Sequence, residues 1–467
     1  MSALPPNKFV ASWTKPQSVA DRIAAGRAAR QQKPRSTLSR LTIGERDPLG
    51  ILDQQNATRA QDLIPLRTER MAANPFAFYR GTAAIQAADL GTDPHSGILV
   101  PSCGDAHVAN FGFYASQQRT LVFDLNDFDE AAWAPWEWDV KRLVTSVVIA
   151  GQATSRDETV VMDAALAAVR TYARAMAAHA ERSPLVRFFE HLDVTTMAGS
   201  ADKSSRDVMK AAIHDAQKRT ADRAVRKLTQ MGPDGRLSFI ETPPTMTAVD
   251  TEAYERLLDN VRNYALSANI DIRMLLTHYT VSDIARRVVG VGSVGTLCTL
   301  ILLQDGDGNV LLLQGKQAGK SVLVEYGGIE QPEVFVPYVE RHGEGGRVVA
   351  LQRILQAVSD PFLGHVQAAR GDFYVRQFHD MKGGIDADQI EDEPFRNYTQ
   401  ACAATLARAH SQAPNAAEVA GYIGNGRVVG ESILEWAYAY AALSKQDYNA
   451  FVEANPAAAT APAPAEA

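Results

Sequence analysis

The residues best suited to chemistry lie in two neighbouring runs, Gly104-Asp105-Ala106-His107-Val108-Ala109-Asn110 and Phe123-Asp124-Leu125-Asn126-Asp127-Phe128-Asp129-Glu130. An Asp is followed five residues later by an Asn and, about one hairpin further on, by a cluster of carboxylates. Phosphoryl transfer from a nucleotide calls for that set. One carboxylate orients the acceptor hydroxyl, while an Asn and a second Asp hold the metal ion that neutralises the phosphates. Asp and Asn clusters also build turns, because their side chains bond nearby backbone amides. Here strand-like apolar residues (Val108, Phe111, Phe113, Leu121, Val122, Phe123) flank the acids. That places carboxylates at the ends of buried strands, where uncompensated charge is costly without a ligand or a partner.

The roles that follow are Asp105 as the catalytic carboxylate, with Asn110 and one of Asp124 or Asp127 holding Mg²⁺ through hard oxygen ligands. The two aspartates stay open alternatives, and His107 is read as a hydrogen-bonding brace for the loop. A second constellation lies roughly two hundred residues later. Gly290-Val291-Gly292-Ser293-Val294-Gly295 has the Gly-x-Gly-x-x-Gly spacing, yet an apolar, β-branched run follows it where a dinucleotide fold would need a helix. A glycine-rich hairpin fits better, with Gly290, Gly292, Ser293 and Gly295 laying backbone amides over the phosphates of ATP. The next strand ends in Lys316, the expected phosphate-pairing lysine, with Lys320 as the alternative. Glu325 and Glu344 are candidate partners for that lysine, and Gln352 stands where a helical Glu would be expected. The acid-rich turn Asp305–Asn309 lacks the Gly and the Glu of a calcium loop and reads as a hairpin turn.

These residues need several elements to position them, and 467 residues suffice for two or three lobes. No apolar run reaches the length of a membrane span, and the N-terminus lacks a secretory core, so a cytoplasmic protein without a membrane partner is expected. The three cysteines have no metal-ligand spacing, and a net charge of −7 argues against a nucleic-acid partner. Residues 1–40 read as a disordered or peripheral arm and 454–467 as a disordered Ala/Pro tail. Residues 41–280 read as a mainly helical catalytic lobe, 281–385 as a β-rich nucleotide lobe, and 386–453 as a helical return to the first lobe. Trp133, Trp136 and Trp138 are read as core residues, and Arg70, Arg80, Lys141 and Arg142 as salt-bridge residues or anion contacts.

The Gly-Asp-x-His-x-x-Asn run resembles the catalytic loop of aminoglycoside and choline kinases, and Leu406-Ala407-Arg408-Ala409-His410 resembles the helix end that precedes that loop in them. The order along the chain differs, because hairpin, lysine, helix and hinge strand here follow the catalytic loop. Cutting a kinase chain between that helix and the loop would produce this order, and such permutation is physically tolerable. The resemblance therefore implies an α+β, two-lobed, protein-kinase-like fold that is circularly permuted. It also implies that Asp139, early in the helix after the acids, braces the catalytic loop backbone.

Separate blocks resemble the bacterial DUF2252 family, whose function is uncharacterised: RMAANPFAFYRG (70–81), CGDAHVANFG (103–112), FDLNDFDEA (123–131), PWEWDVKRL (135–143), VVGVGSVGT (288–296), LLLQGKQA (311–318), QRILQAVSDPFLG (352–364), YVRQFHDMKG (374–383) and LARAH (406–410). The leading functional expectation is an ATP- and Mg²⁺-dependent phosphotransferase acting on a small molecule. Nucleotidyl transfer to protein would use the same residues. A non-catalytic nucleotide-binding or scaffold protein is the alternative, and the presence of Asp105, Asn110, Asp124 and Lys316 together weighs against it, because pure scaffolding needs none of them. A metal-dependent phosphoesterase would need more clustered histidines than His95, His179 and His191 supply.

Overall fold

The computed structural model describes residues 15–192, 194, 202–378 and 381–459. It is an α+β structure in which all strand pairs are antiparallel. The described chain opens with α1 (Val19–Gln32), whose N-terminus carries a capping box: Ser18 accepts the Asp21 amide and Asp21 accepts the Ser18 amide. Next come α2 (Pro48–Ala57), α3 (Ile64–Ala72), α4 (Pro75–Arg80) and α5 (Ala83–Thr92). A short strand β1 (Leu99–Ser102) leads into the catalytic-loop candidate, then the hairpin β2 (Phe111–Ala115) and β3 (Leu121–Leu125), then β4 (Ala132–Pro135), which pairs with β1. Helices α6 (Trp136–Ala153), α7 (Glu158–Glu181), α8 (Pro184–Phe189), α9 (Lys203–Lys218) and α10 (Ala221–Leu228) follow.

A short hairpin of β5 (Thr229–Met231) and β6 (Leu237–Phe239), then β7 (Met246–Ala248), precede α11 (Thr251–Ser267) and α12 (Ile270–Leu276). The main sheet then forms from β8 (Thr280–Arg287), β9 (Cys298–Gln304), β10 (Val310–Ala318), β11 (Gly364–Ala368) and β12 (Gly371–Gln377). With β7 it has six strands in the order β11-β12-β10-β9-β8-β7. Between β10 and β11 lie the short α13 (Val322–Glu325) and the long α14 (Val336–Leu355). The described chain closes with α15 (Asp392–His410), α16 (Ala416–Ile423), α17 (Arg427–Ala454) and the single turn α18 (Pro456–Ala459).

The helices pack into one continuous apolar core holding Trp136, Trp138, Tyr172 and Trp436, all buried. Trp136 stacks on Tyr172 with ring centroids 5.7 Å apart, so the tryptophan cluster is built into the core, with Trp133 half-buried at its edge. The two faces of the main sheet have their own cores. Ile284, Ile301, Leu313 and Val375 face α11 on one side, while Leu300, Leu302 and Leu312 pack with Leu237 and Phe239 on the other. That alternation along β9 and β10 is the period of two expected of strands buried on both faces. At the tip of the β9–β10 hairpin, Asp305 accepts the amides of Asp307 and Asn309 at 2.9 and 2.8 Å, closing the turn.

The arm before residue 40 is peripheral but ordered over its described part: α1 lies on α16, where a Cβ at Gly26 would stand 2.0 Å from the Glu418 carbonyl. The first long strand runs through Thr280–Arg287, so the glycines form the loop after it. Within the mainly helical stretch before it, α10 ends at Leu228 and passes directly into the β5–β6 hairpin.

Helix α14 reaches the sheet through a break at Gly343, which takes φ 69° and lets the Glu344 amide bond Asp372 at 2.6 Å. Just beyond, a Cβ at Gly345 would stand 2.2 Å from the Phe373 carbonyl of β12. Backbone on both sides leaves nothing free to move. Gly345→Ala should therefore lower the urea midpoint, by about 1–3 kcal/mol of stability. An unchanged midpoint would show that α14 does not press on β12 as described.

Candidate active site

The loop after β1 is shaped by close approach. Gly104 has φ +80°, and a Cβ there would stand 2.2 Å from the Glu130 carbonyl, so only glycine fits. Asp139, in the first turn of α6, accepts the amides of Cys103 and Gly104 at 2.8 and 3.0 Å. His410, the last residue of α15, brings Nε2 to 3.2 Å from the same carboxylate. Asp139 thus holds the backbone of the catalytic-loop candidate, in the way the resemblance implied.

Asp105 follows with its carboxylate between two bases. Arg142 Nε donates to Oδ1 at 2.8 Å, and His107 Nε2 stands 3.5 Å from Oδ2. Arg142 is itself fixed by Gln86, the Tyr79 carbonyl and the Tyr79 ring, 3.9 Å below its guanidinium carbon. Burial raises the Asp105 pKa from the ordinary carboxylate value, against the pull of Arg142. Burial, with Arg80 and Arg142 nearby, holds His107 well below its ordinary value, so the imidazole is a neutral brace. Asn110 donates its side-chain N–H to the Asp105 carbonyl at 2.7 Å, which leaves its amide oxygen for another partner.

The two open aspartates separate here. Asp124 lies within β3, opposite Gly112, 2 % exposed, and its carboxylate accepts the amides of Leu125 and Ala357 at 2.9 and 2.8 Å. It points into the protein and, unlike Asp127, does not line the cavity; its acid ties β3 to the segment just past α14. Asp127, just past the strand, does line the cavity together with Asp105, Asn110, Asp129 and Glu130. Burial alone would raise Asp127, but Lys316, Arg376 and Lys382 together hold it below the ordinary value.

Lys316 enters from β10, almost fully buried, and makes an ion pair with Asp129; Asp127 Oδ1 is 3.8 Å from its ammonium. Despite burial, these two acids raise its pKa well above the ordinary value. Neither expected glutamate pairs with it. Glu344 binds Arg347, and Glu325 stands elsewhere in the cavity wall. Arg347 from α14 donates instead to the carbonyls of Ala131, Asp129 and Gly319, and so grips the acidic loop and the end of β10 together. Asp129 and Arg347 were not singled out by sequence reasoning. Arg347 carries no motif, only an i,i+3 spacing from Glu344.

The glycine-rich loop closes the cavity from above. Gly290, Gly292 and Ser293 line it with Val291 and Thr296. Gly295 does not line it: its carbonyl accepts the Ala60 amide at 2.8 Å, and its φ of +89° packs it against Arg59. Arg59 also donates to the Val294 carbonyl at 2.6 Å, and Arg70 to the Gly290 carbonyl at 2.6 Å. Lys320 is exposed at the rim, and Lys141 is a buried partner of Asp93 at 3.6 Å, away from the cavity. The cavity of about 490 Å³ falls in the range of small-molecule sites. Among the described residues no cluster of three or more His, Cys, Asp or Glu has metal-holding geometry. Magnesium is commonly held by one or two carboxylates plus substrate oxygens, and the oxygens of Asn110 and Asp127, which line one cavity with the glycine-rich loop, are of the type it takes.

An α+β protein with antiparallel sheets and an acid-lined cavity under a glycine loop is the class these observations define. Residues 59–454 match the family described as "Uncharacterized protein conserved in bacteria (DUF2252)", and the chain belongs to it. No curated protein and no solved structure matches the chain. Among the described residues no helix is long and apolar enough to cross a membrane.

Glu130 offers a test of the cavity's electrostatics. Its Oε2 accepts the Val322 amide at 2.8 Å, and burial pushes its pKa up to about 7. From roughly pH 4.3, the unfolded value, up to that pH, the folded protein holds a proton the unfolded chain lacks. Stability therefore falls as pH rises through the window. Glu130→Gln keeps an acceptor for Val322 and removes the penalty. In metal-free protein its stability relative to wild type should rise between pH 5 and pH 8 by on the order of 2 kcal/mol. A pH-independent difference in urea unfolding would refute the burial argument.

Proposed function

We propose that this chain is an ATP- and Mg²⁺-dependent phosphotransferase with a small-molecule acceptor, built on a two-lobed, circularly permuted kinase-like fold. The observation that carries the reading is the pairing of Lys316, buried behind the cavity lining, with Asp129 and Asp127, which come from a segment far away in the chain and line the cavity with Asp105, Asn110 and the glycine-rich loop. The strand order gives it support: glycine-loop hairpin, lysine strand, helix, then a final hairpin whose second strand lies against the lysine strand. The meeting of His410 with the Cys103–Gly104 backbone at Asp139 supports the permutation.

In this reading the amides around Gly290, Gly292 and Ser293 cradle the phosphates, and Lys316 exchanges Asp129 for a phosphate oxygen. Gly295 serves by anchoring the loop and not by touching nucleotide. Asn110 and Asp127 would hold Mg²⁺, which supplies neutralisation of the phosphate charge. Asp105, oriented by Arg142, accepts the proton of the acceptor hydroxyl. Nucleotide and acceptor are the partners, in the cytoplasm; neither nucleic acid nor membrane is one.

The test begins with thermal shift against ATP, with and without Mg²⁺. A hundredfold excess over Kd stabilises by about 2.7 kcal/mol. Lys316→Ala should abolish most of that shift, because the ammonium neutralises phosphate in a partly desolvated cleft. Asp105→Asn should keep the shift and lose turnover by roughly a hundredfold or more. In the wild type, turnover should decline on acidification with a midpoint above ~4, since the raised Asp105 must be ionised to accept a proton. No Mg²⁺-dependent shift with any nucleotide would leave a scaffold role, whereas transfer of AMP from α-labelled ATP would make the chain a nucleotidyl transferase.

A further inference from the structure

The arginines around the cavity are accounted for, with one exception. Arg142 is held by Asp105, Gln86 and Tyr79, Arg59 by the Val294 carbonyl, Arg347 by Glu344 and three carbonyls, and Arg376 by Gln314. Arg80, the last residue of α4, lines the cavity, yet its guanidinium makes no hydrogen bond and no ion pair within 4 Å among the described residues. Its Nε is shut off from water and has no partner. A guanidinium brings five donors in a planar fork that matches carboxylate and phosphate, and leaving such donors unsatisfied in a partly dry site is costly. The arrangement is that of a site completed by an anion.

The position of Arg80 says which anion. Its charge acts on Asp105 and His107, whereas Lys316, Arg376 and Lys382 act on Asp127. The phosphate and metal side of the cavity thus has its own cations, and Arg80 stands on the side of the catalytic carboxylate. Its carbonyl lies 3.3 Å from where a Cβ at Gly292 would be, so it borders the tip of the glycine loop where an acceptor would meet the nucleotide. A cationic acceptor would there be repelled by Arg80 and Arg142 together.

We infer that Arg80 anchors the acceptor: the molecule that presents its hydroxyl to Asp105 is an anion, a hydroxy-carboxylate or a phosphate ester, whose charged group is taken by the Arg80 guanidinium. This rests on the phosphotransferase reading for the role of Asp105, but the anion site itself can be tested without it. Glycerate, glycerol 3-phosphate and glycerol are titrated calorimetrically into wild type saturated with Mg²⁺ and a non-hydrolysable ATP analogue. Binding of one or both anions, with glycerol at least tenfold weaker, is expected. Arg80→Gln should weaken the anion by roughly 10- to 100-fold, the worth of a charge-assisted pair, with the affinity for the ATP analogue unchanged. Arg80→Lys, keeping charge without the fork, should fall between.

Absence of anion binding to wild type, or binding that Arg80→Gln leaves intact, overturns the inference. So does loss of analogue affinity in Arg80→Gln, which would assign Arg80 to the nucleotide's own phosphate. If wild type binds no nucleotide, the phosphotransferase reading fails, and the same titration on nucleotide-free protein still decides whether Arg80 is an anion site.

Discussion

The buried ion pair between Lys316 and Asp129 is the interaction on which the rest of the site depends. An ammonium as deeply buried as Lys316 cannot stand alone, since removing one partner of such a pair leaves an uncompensated charge. The acidic loop is therefore drawn against β10. Tyr374 of the neighbouring strand donates to the other Asp129 oxygen, so two strands of the sheet grip one carboxylate. The pair brings together residues separated by 187 positions, and with them the glycine loop and the Asp105–Asn110 loop come to one cavity.

Helix α14 completes that knot with a cation and not with an acid. Arg347 takes the carbonyls of Asp129, Ala131 and Gly319, so the helix binds the backbone of the acidic loop and leaves its carboxylates to Lys316 and the cavity. A Glu at that place would have competed with Asp129 for the lysine. Withdrawing the helix would strand three carbonyl partners and the Arg347 charge at once, which makes the helix a fixed part of the site. In the proposed reaction the mobile element is then the lysine's choice of partner, carboxylate or phosphate, two anions of similar reach.

How far the sequence discloses this can be argued residue by residue. Asp105, Asn110, the glycine run and Lys316 are legible because their spacings have a chemical meaning that survives any fold. The choice between Asp124 and Asp127 is not legible, for it turns on where β3 ends. Asp124 is still in register with Gly112 and faces inward, and three residues later the chain has left the sheet and Asp127 faces the cavity. Side chains alternate faces along a strand, and no local pattern marks its last residue. Arg347 acts on the carbonyls of Asp129 and Ala131, and Arg59 on that of Val294, all more than two hundred residues distant, contacts that leave no signature in residue type. The Arg-rich stretch 22–40, with its interspersed Ala, reads equally as a solvated helix or a loose arm, and the capping pair Ser18 and Asp21 is what starts the helix at Val19.

The order of the chain bears on what the site requires. The end of α15 and the loop that carries Asp105 are far apart in the chain, yet they are held side by side. Asn415, five residues past the end of α15, donates to the Leu99 carbonyl at the start of β1 at 2.7 Å, and His410 reaches the carboxylate that binds the Cys103 and Gly104 amides. Asp139 thus performs through hydrogen bonds what a peptide connection would do, fixing the exit of one helix against the entry of the loop. Its buried carboxylate accepts two backbone amides and faces His410 Nε2, and those partners replace the water that burial removes. The geometry around Asp105 then depends on neighbours that meet there from distant parts of the chain, His410 and Asp139 being 271 positions apart.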